Sequence, residues 1–260
     1  MRTLIKLGGT LLDSQEPRTR LAQEIADVSP KTGNQTVVVH GGGKQMTRFL
    51  AERGIESRFI NGLRVTTPEI VDAVLKVFAG SVNHELVSSL VAAGSPAVGL
   101  SGIDALLLEA EPVGGEYGAV GKPVRANAGV LHVLCDGGYL PVVACIGGDK
   151  AGNIYNVNAD QMAVACAVAF GARRLFFLTD VDGVRDGSGE IAQTLTISEM
   201  NGLIRDGIAT GGMQAKLEAA RRALLDGIEE VIIAPGALPG IVPKLYKSEH
   251  SGTRLLRGTE

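Results

Sequence analysis

Glycine stands beside a lysine or at the end of an apolar run at three widely separated places: Lys6-Leu-Gly-Gly9, His40-Gly-Gly-Gly43 and Gly211-Gly-Met-Gln-Ala-Lys216. Glycine lets a backbone approach a ligand closely and present its N–H groups, and an ammonium adds a point positive charge. Together they suit phosphoryl oxygens. A site drawn from both halves of a chain can hold two substrates face to face, so this spacing implies a small-molecule phosphotransferase. Taken alone, Lys6-Leu-Gly-Gly9 reads equally well as a strand-to-helix turn with a surface lysine.

Other segments carry polar groups in useful places. His40-Gly-Gly-Gly43 ends an apolar run and opens a helix near Lys44, where free N–H groups and the helix dipole attract an anion. The same run forms the oxyanion hole of some hydrolases, but the Gly-x-Ser-x-Gly elbow that reading needs is absent from the sequence. His40 itself reads as a packed strand-end residue rather than a catalyst. Neither Gly-x4-Gly-Lys-Ser/Thr nor Gly-x-Gly-x-x-Gly after a strand occurs, so a phosphate site here is of another type.

In Asn156-Val-Asn-Ala-Asp160, Asn158 or Asp160 can simply cap the next helix. In an extended segment Asn156 and Asn158 share a face, where an amide can donate to a substrate carboxylate; an aspartate can hold neighbouring lysines. Arg64, in Asn61-Gly-Leu-Arg64, has the fork to grip a carboxylate through two bonds, against the plain reading of a surface arginine. Asp180, in Thr179-Asp-Val-Asp-Gly183, can bond a ribose or hold a metal indirectly.

The elements that must position these groups follow from hydrophobic pattern. Short β-rich runs recur at Thr3–Leu7, Thr36–His40, Ala97–Leu100, Pro141–Ile146, Leu175–Thr179 and Glu230–Ala234. Helical spacing fills Arg18–Val28, Lys44–Arg53, Pro68–Ala93, Ala159–Phe170, Ser198–Asp206 and Met213–Leu225. Unbroken apolar strands alternating with amphipathic helices predict an α/β fold with a mostly parallel sheet covered on both faces. Thr67 and Pro68 make a helix start, and Gly94 and Gly227 helix ends. The stretch Ala105–Val130, rich in glycine and acidic residues, reads as one or two hairpins projecting from the sheet edge. A boundary near Phe170-Gly171 divides an N-terminal lobe, 1–170, from a C-terminal lobe, 171–260.

Composition narrows the partners. The 260 residues are 45% hydrophobic and 20% charged, with net charge −3, 4% aromatic residues and no tryptophan. That argues against nucleic acid. No apolar stretch reaches the roughly 20 residues of a membrane span, and the N-terminus does not read as a signal peptide. Cys135, Cys145 and Cys166 lie in apolar runs without CxxC spacing, so buried free thiols and a reducing cytoplasm are expected.

The ordered set Lys-x-Gly-Gly, His-Gly-Gly-Gly, Asn-Gly-Leu-Arg-Val-Thr, Asn-Val-Asn-Ala-Asp, Thr-Asp-Val-x-Gly and Gly-Gly-Met-x-x-Lys resembles the amino acid kinase family from Lys6 to Arg254. The resemblance implies a three-layer αβα sandwich and transfer of a phosphoryl group from ATP to the side-chain carboxylate of N-acetyl-L-glutamate. Carrier-linked aminoadipate or glutamate and N-succinylglutamate are the neighbouring acceptors, and a non-catalytic amino acid-binding module is the distant alternative.

Carried over by position, it implies that Lys6 and Lys216 flank the transferring group and that Asp160 orients them. Gly8, Gly9, Gly41, Gly42 and Gly43 would offer N–H groups. Arg64 would grip the α-carboxylate, with Asn156 on the acetamido end and Asn158 also among the substrate-binding residues. Thr179, Asp180, Val181, Asp182, Gly183, Val184 and Arg185, with Ile208, Ala209 and Thr210, would wall the nucleotide. Mg2+ would ride on ATP phosphates with no protein ligand. Gln214-Ala215 and His84 depart from the usual pattern, and Ala105–Val130 matches poorly. Arginine-inhibited relatives carry an extra helix before the first strand; Lys6 comes early, so a homodimer without arginine feedback is expected.

Overall fold

In the computed structural model, which describes residues 1–28 and 33–258, the chain opens with β1 (Arg2–Leu7), α1 (Gln15–Val28), β2 (Gln35–His40) and α2 (Gly43–Ala51). Leu4, Ile5, Leu7, Val37, Val38 and Val39 are fully buried, as strands covered on both faces must be. A tight hairpin, β3 (Phe59–Ile60) and β4 (Leu63–Arg64), turns through Asn61 at φ 49° and Gly62 at φ 78°. That Asn-Gly pair suits a turn needing two left-handed residues.

The expected helix over Pro68–Ala93 is found in three pieces: α3 (Pro68–Val74), a π-helical segment Leu75–Val82, and α4 (Asn83–Ala92). Thr67 caps it, its hydroxyl accepting the Ile70 N–H at 3.3 Å. Next come β5 (Ala97–Ser101), β6 (Leu108–Pro112), β7 (Val120–Ala126), α5 (Gly129–Asp136) and β8 (Leu140–Ala144). The rest is β9 (Ile146–Gly148), β10 (Ile154–Val157), α6 (Ala159–Phe170), β11 (Arg174–Thr179), β12 (Thr194–Thr196) and α7 (Ile197–Arg205). It closes with α8 (Gly211–Leu225), β13 (Glu230–Pro235), α9 (Ile241–Tyr246) and β14 (Thr253–Leu256).

One eight-stranded sheet runs β12-β14-β13-β11-β1-β2-β8-β5, parallel throughout except for β13 against β14. Helices α5, α6 and α8 pack on one face; α1, α4 and α9 pack on the other. The chain moves outward from β1 to β2, then returns on β1's other side at β11. That reversal opens a crevice beyond the carboxyl ends of β1, β2 and β11, where ligands of open α/β sheets bind.

The run Pro141–Ile146 splits at Cys145: β8 stays in the sheet while β9 leaves it. The hairpin expected within Ala105–Val130 forms as β6 and β7, but it does not project freely. It closes with β9 and β10 into a small barrel. Gly121 permits the closure, since a Cβ there would lie 2.5 Å from the Tyr155 Cβ.

Candidate active site

Lys6 leaves mid-sheet from β1, Asp160 sits in the first turn of α6, and Lys216 lies in the second turn of α8. The Lys6 Nζ is 2.7 Å from Asp160 Oδ1 and the Lys216 Nζ 3.2 Å from Oδ2. Burial alone would push the Asp160 carboxyl up. The charges of Lys6 and Lys216 outweigh it and hold the group below the usual carboxylate range. Cys145 lies buried within electrostatic reach of Lys6, its thiol pushed up to about 12 by burial, so it is a neutral neighbour. One carboxylate thus holds two ammonium groups from opposite ends of the chain side by side.

Two glycine loops meet at the start of α6, the helix that carries Asp160. A Cβ on Gly9 would lie 3.1 Å from the Gly43 nitrogen, and one on Gly41 3.3 Å from the Ala159 Cβ, so the loops after β1 and β2 and the start of α6 are in contact. The first internal bond of α2 is Met46 N–H to Gly42 O at 2.8 Å, which leaves the N–H groups of its first turn without partners in the helix. Gly8 differs from expectation: its N–H donates to Leu178 O at 2.9 Å, so it cannot serve a phosphoryl oxygen. Gly211, at φ 53°, opens α8 in a conformation a side chain would strain. His40 is wholly buried and held near pKa 4 by that burial, a neutral strand-end residue.

A cavity of about 610 Å³ adjoins the loops, lined by Gly9, Thr10, Gly43, Lys44, Arg64 and neighbours on α2. Arg64 is 7% exposed and firmly placed. It donates to Gly43 O at 3.1 Å, to Thr47 Oγ1 at 2.8 Å and to Ser57 Oγ, and stacks 4.6 Å from the Phe59 ring centre. Asn156, on β10, donates to Thr66 Oγ1 at 3.0 Å, and Thr66 donates to Arg64 O at 2.8 Å, which ties the barrel to the arginine. Asn158 takes the capping part: its Oδ1 accepts from the N–H groups of Asp160 and Gln161 at 2.9 and 3.2 Å.

A second cavity, of about 350 Å³, lies beyond the end of β11 and beside the start of α8. Asp180, Val181, Asp182, Gly183, Arg185, Ile208 and Ala209 line it. Thr179 is buried and its hydroxyl donates to Asp180 Oδ1 at 3.1 Å; Thr10 reaches Oδ2 at 3.4 Å. Burial pushes the Asp180 carboxyl up, but these hydrogen bonds and the nearby Lys216 charge hold it down. Val184 does not line the cavity: its side chain is fully buried and its N–H donates to Thr253 Oγ1 at 2.8 Å. Thr210 stands at the N-cap of α8 without a capping bond.

Several lining residues escaped sequence reasoning. Thr10, Lys44, Thr47, Arg48, Ala51 and Phe59 belong to the first cavity, and Ile191 and Met213 to the second. Lys44 and Thr47 lie on α2 just after the glycines, a signal that was present. Ile191 reaches the cavity only because it bridges Arg185 across the turn at Asp186–Gly189, which local sequence does not reveal.

Comparison with known proteins agrees with this geometry. Residues 1–235 match the amino acid kinase family. A protein of Solibacter usitatus named acetylglutamate kinase is 60% identical over 256 residues, covering 98% of this chain and 99% of its own. An acetylglutamate kinase of Koribacter versatilis is 39% identical over 259 residues, with 98% and 99% coverage. N-acetylglutamate synthase from Neisseria gonorrhoeae, solved with coenzyme A and N-acetyl-glutamate, superposes at a TM-score of 0.89 with 25% identity. All of this chain is matched, and it spans 60% of that one. With its motifs in register, a family match over most of its length and relatives alike from end to end, the chain belongs to the amino acid kinase family.

Proposed function

We propose that the chain catalyses ATP-dependent phosphorylation of the side-chain carboxylate of N-acetyl-L-glutamate, giving N-acetyl-L-glutamyl 5-phosphate and ADP, a step of arginine biosynthesis. The observation that carries this reading is the meeting of Lys6 and Lys216 on one buried carboxylate. The name of the 60% identical relative supports the same acceptor.

The nucleophile has an ordinary pKa of about 4.3 and is ionised at neutral pH, so no general base is needed. A side-chain oxygen attacks the γ-phosphorus; the new O–P bond forms as the bond to the β,γ-bridging oxygen breaks, and ADP leaves with that electron pair. The task is to bring two anions together and to stabilise charge on the equatorial oxygens. Lys6 and Lys216 supply charge, Asp160 sets their spacing, and the N–H groups of Gly9 and Gly41–Gly43 complete the cradle. Arg64 takes the α-carboxylate and Asn156 the acetamido end, while Asp180–Arg185 and Ile208–Thr210 wall the nucleotide.

Asp160 has both oxygens engaged by lysines, and the carboxylates lining the nucleotide cavity are those of Asp180 and Asp182. Among the described residues no three His, Cys, Asp or Glu groups gather into a cage. Mg2+ bound mainly through the ATP phosphates would neutralise their charge.

We assign the acyl amino acid to residues 1–170 and ATP to 171–260. A homodimer is proposed, since β5 ends the sheet with an unpaired edge among the described residues. A reducing cytoplasm suits the three free thiols, and no described helix is long and apolar enough to cross a membrane.

The test is ADP release with hydroxylamine trapping, comparing N-acetyl-, N-succinyl- and free glutamate, a carrier-linked acceptor and N-acetylaspartate. Hydroxamate forming fastest from N-acetyl-L-glutamate is expected. Preference for another acceptor reassigns the substrate, and no hydroxamate from any removes the kinase reading.

A further inference from the structure

His40 and Asn83 form a buried polar pair beneath the second glycine loop, 0% and 2% exposed. Asn83 Nδ2 lies 2.9 Å from His40 Nε2 and donates to Val142 O at 3.0 Å. An amide nitrogen is only a donor, so Nε2 must be the acceptor. The ring proton is then assigned to Nδ1, which donates to Gly41 O at 3.0 Å. The whole chain runs one way, from Asn83 through the ring to the carbonyl of Gly41.

That carbonyl matters because it shares a peptide plane with the Gly42 N–H. The unit is planar and trans, so its C=O and N–H point in opposite directions. Turning the carbonyl inward to the buried ring turns the Gly42 N–H away from it, to the side of the loop that lies against Gly9. Asn83 is the first residue after the π-helical segment, and that segment also supports the loop. A Cβ on Gly42 would lie 2.9 Å from Phe78 Cδ1 and 3.3 Å from Val82 Cγ2. From the far side β5 leaves the amide room: a Cβ on Gly99 would lie 2.1 Å from Asn83 Oδ1. Short π-helical turns inside longer helices often mark functional positions.

We infer that His40 and Asn83 are positioning residues that aim the Gly42 N–H at the reacting oxygens, with the π-helical segment setting where they meet. This rests on the proposed transfer to a carboxylate. The device acts through the peptide plane, so it affects the transition state and leaves the nucleotide cavity untouched.

The test is a double-mutant cycle in the hydroxamate assay, with thermal unfolding of each variant alongside. Asn83→Ala removes the donor. Gly99→Ala keeps the asparagine but pushes it from its place, and serves if the first variant fails to fold. Each is expected to lower kcat about 10–100-fold with KM for ATP within about twofold. Once Asn83 is alanine, Gly99→Ala is expected to have no further effect on kcat, because its route is gone. His40→Asn, whose amide can take the Nδ1 position, is expected to keep more kcat than His40→Leu.

Wild-type kcat in a folded Asn83→Ala or Gly99→Ala variant, a Gly99→Ala loss undiminished without Asn83, or equal losses in the two His40 variants overturns the inference. Absence of hydroxamate from the wild type strikes the proposed reaction instead.

Discussion

Replacing Asp160 with asparagine isolates the carboxylate on which the site is built. The change keeps shape and removes one charge facing two ammonium groups at 2.7 and 3.2 Å. The side chains of Lys6 and Asp160 are each 9% exposed and that of Lys216 18%, so little solvent replaces the lost partner. Removing one member of a buried ion pair commonly costs about 3–5 kcal/mol, because a charge stays buried and uncompensated. At roughly 2–4 °C per kcal/mol for a domain of this size, Asp160→Asn is expected to lower Tm by about 6–20 °C. Two unrestrained ammonium groups also lose their aim, so kcat is expected to fall about 10²–10³-fold.

pH dependence adds a signature. The Asp160 pKa is depressed, so the stability it confers is present above the ordinary carboxylate range near 3.9 and is lost as pH falls through the lower folded value. The variant should lack that acid-limb loss. Thermal unfolding across pH, beside the hydroxamate assay, reads stability and rate. A variant with wild-type Tm and kcat refutes the reasoning.

Three further outcomes follow from the same geometry. Arg64→Lys loses the flat fork that spans Gly43 O, Thr47 and Ser57, and is expected to raise KM for the acyl amino acid about 10–100-fold with kcat changed far less; an unchanged KM contradicts Arg64's placement. Gly42→Ala forces a Cβ to within 2.9 Å of the Phe78 ring, and denaturant unfolding should show a loss of about 1–3 kcal/mol, partly restored by Phe78→Leu; no loss contradicts the close approach. His40, lowered from 6.5 to about 4, stays neutral when folded, so stability is unaffected above pH 6.5 and falls by about 3 kcal/mol as pH drops to 4. NMR titration of the four histidines checks this, and a His40 that titrates near 6.5 contradicts it.

Much of the fold could be read along the chain because parallel strands covered on both faces are apolar from end to end. Thr3–Leu7 and Leu175–Thr179 carry that mark, and so do their neighbours. β12 and β14 do not: they are three and four residues long and interrupt buried positions with partly or fully exposed ones. The small barrel was hidden because it joins β6 and β7 to β9 and β10 across intervening elements, a pairing no local pattern encodes. The π-helical insertion was hidden too, since Leu75–Val82 fits helical spacing well enough.

At the site, motif residues marked the right loops but not the use of each group. That Gly8 spends its N–H on Leu178 follows from the close approach of the loop after β1 to the end of β11, which no local spacing displays. Asn158 illustrates the opposite case, where the plain capping reading of the residue describes its observed bonds.

The central claim is that Lys6 and Lys216 act on one transferring phosphoryl group. Single-turnover formation of the trapped hydroxamate by Lys6→Ala, Lys216→Ala and the double variant, each shown to be folded, tests it most directly. Each single change is expected to cut the rate about 10²–10³-fold, and the double change to cost far less than the product of the two, as for groups that work as a unit. Near-normal turnover in either single variant, or fully multiplicative losses, contradicts the claim.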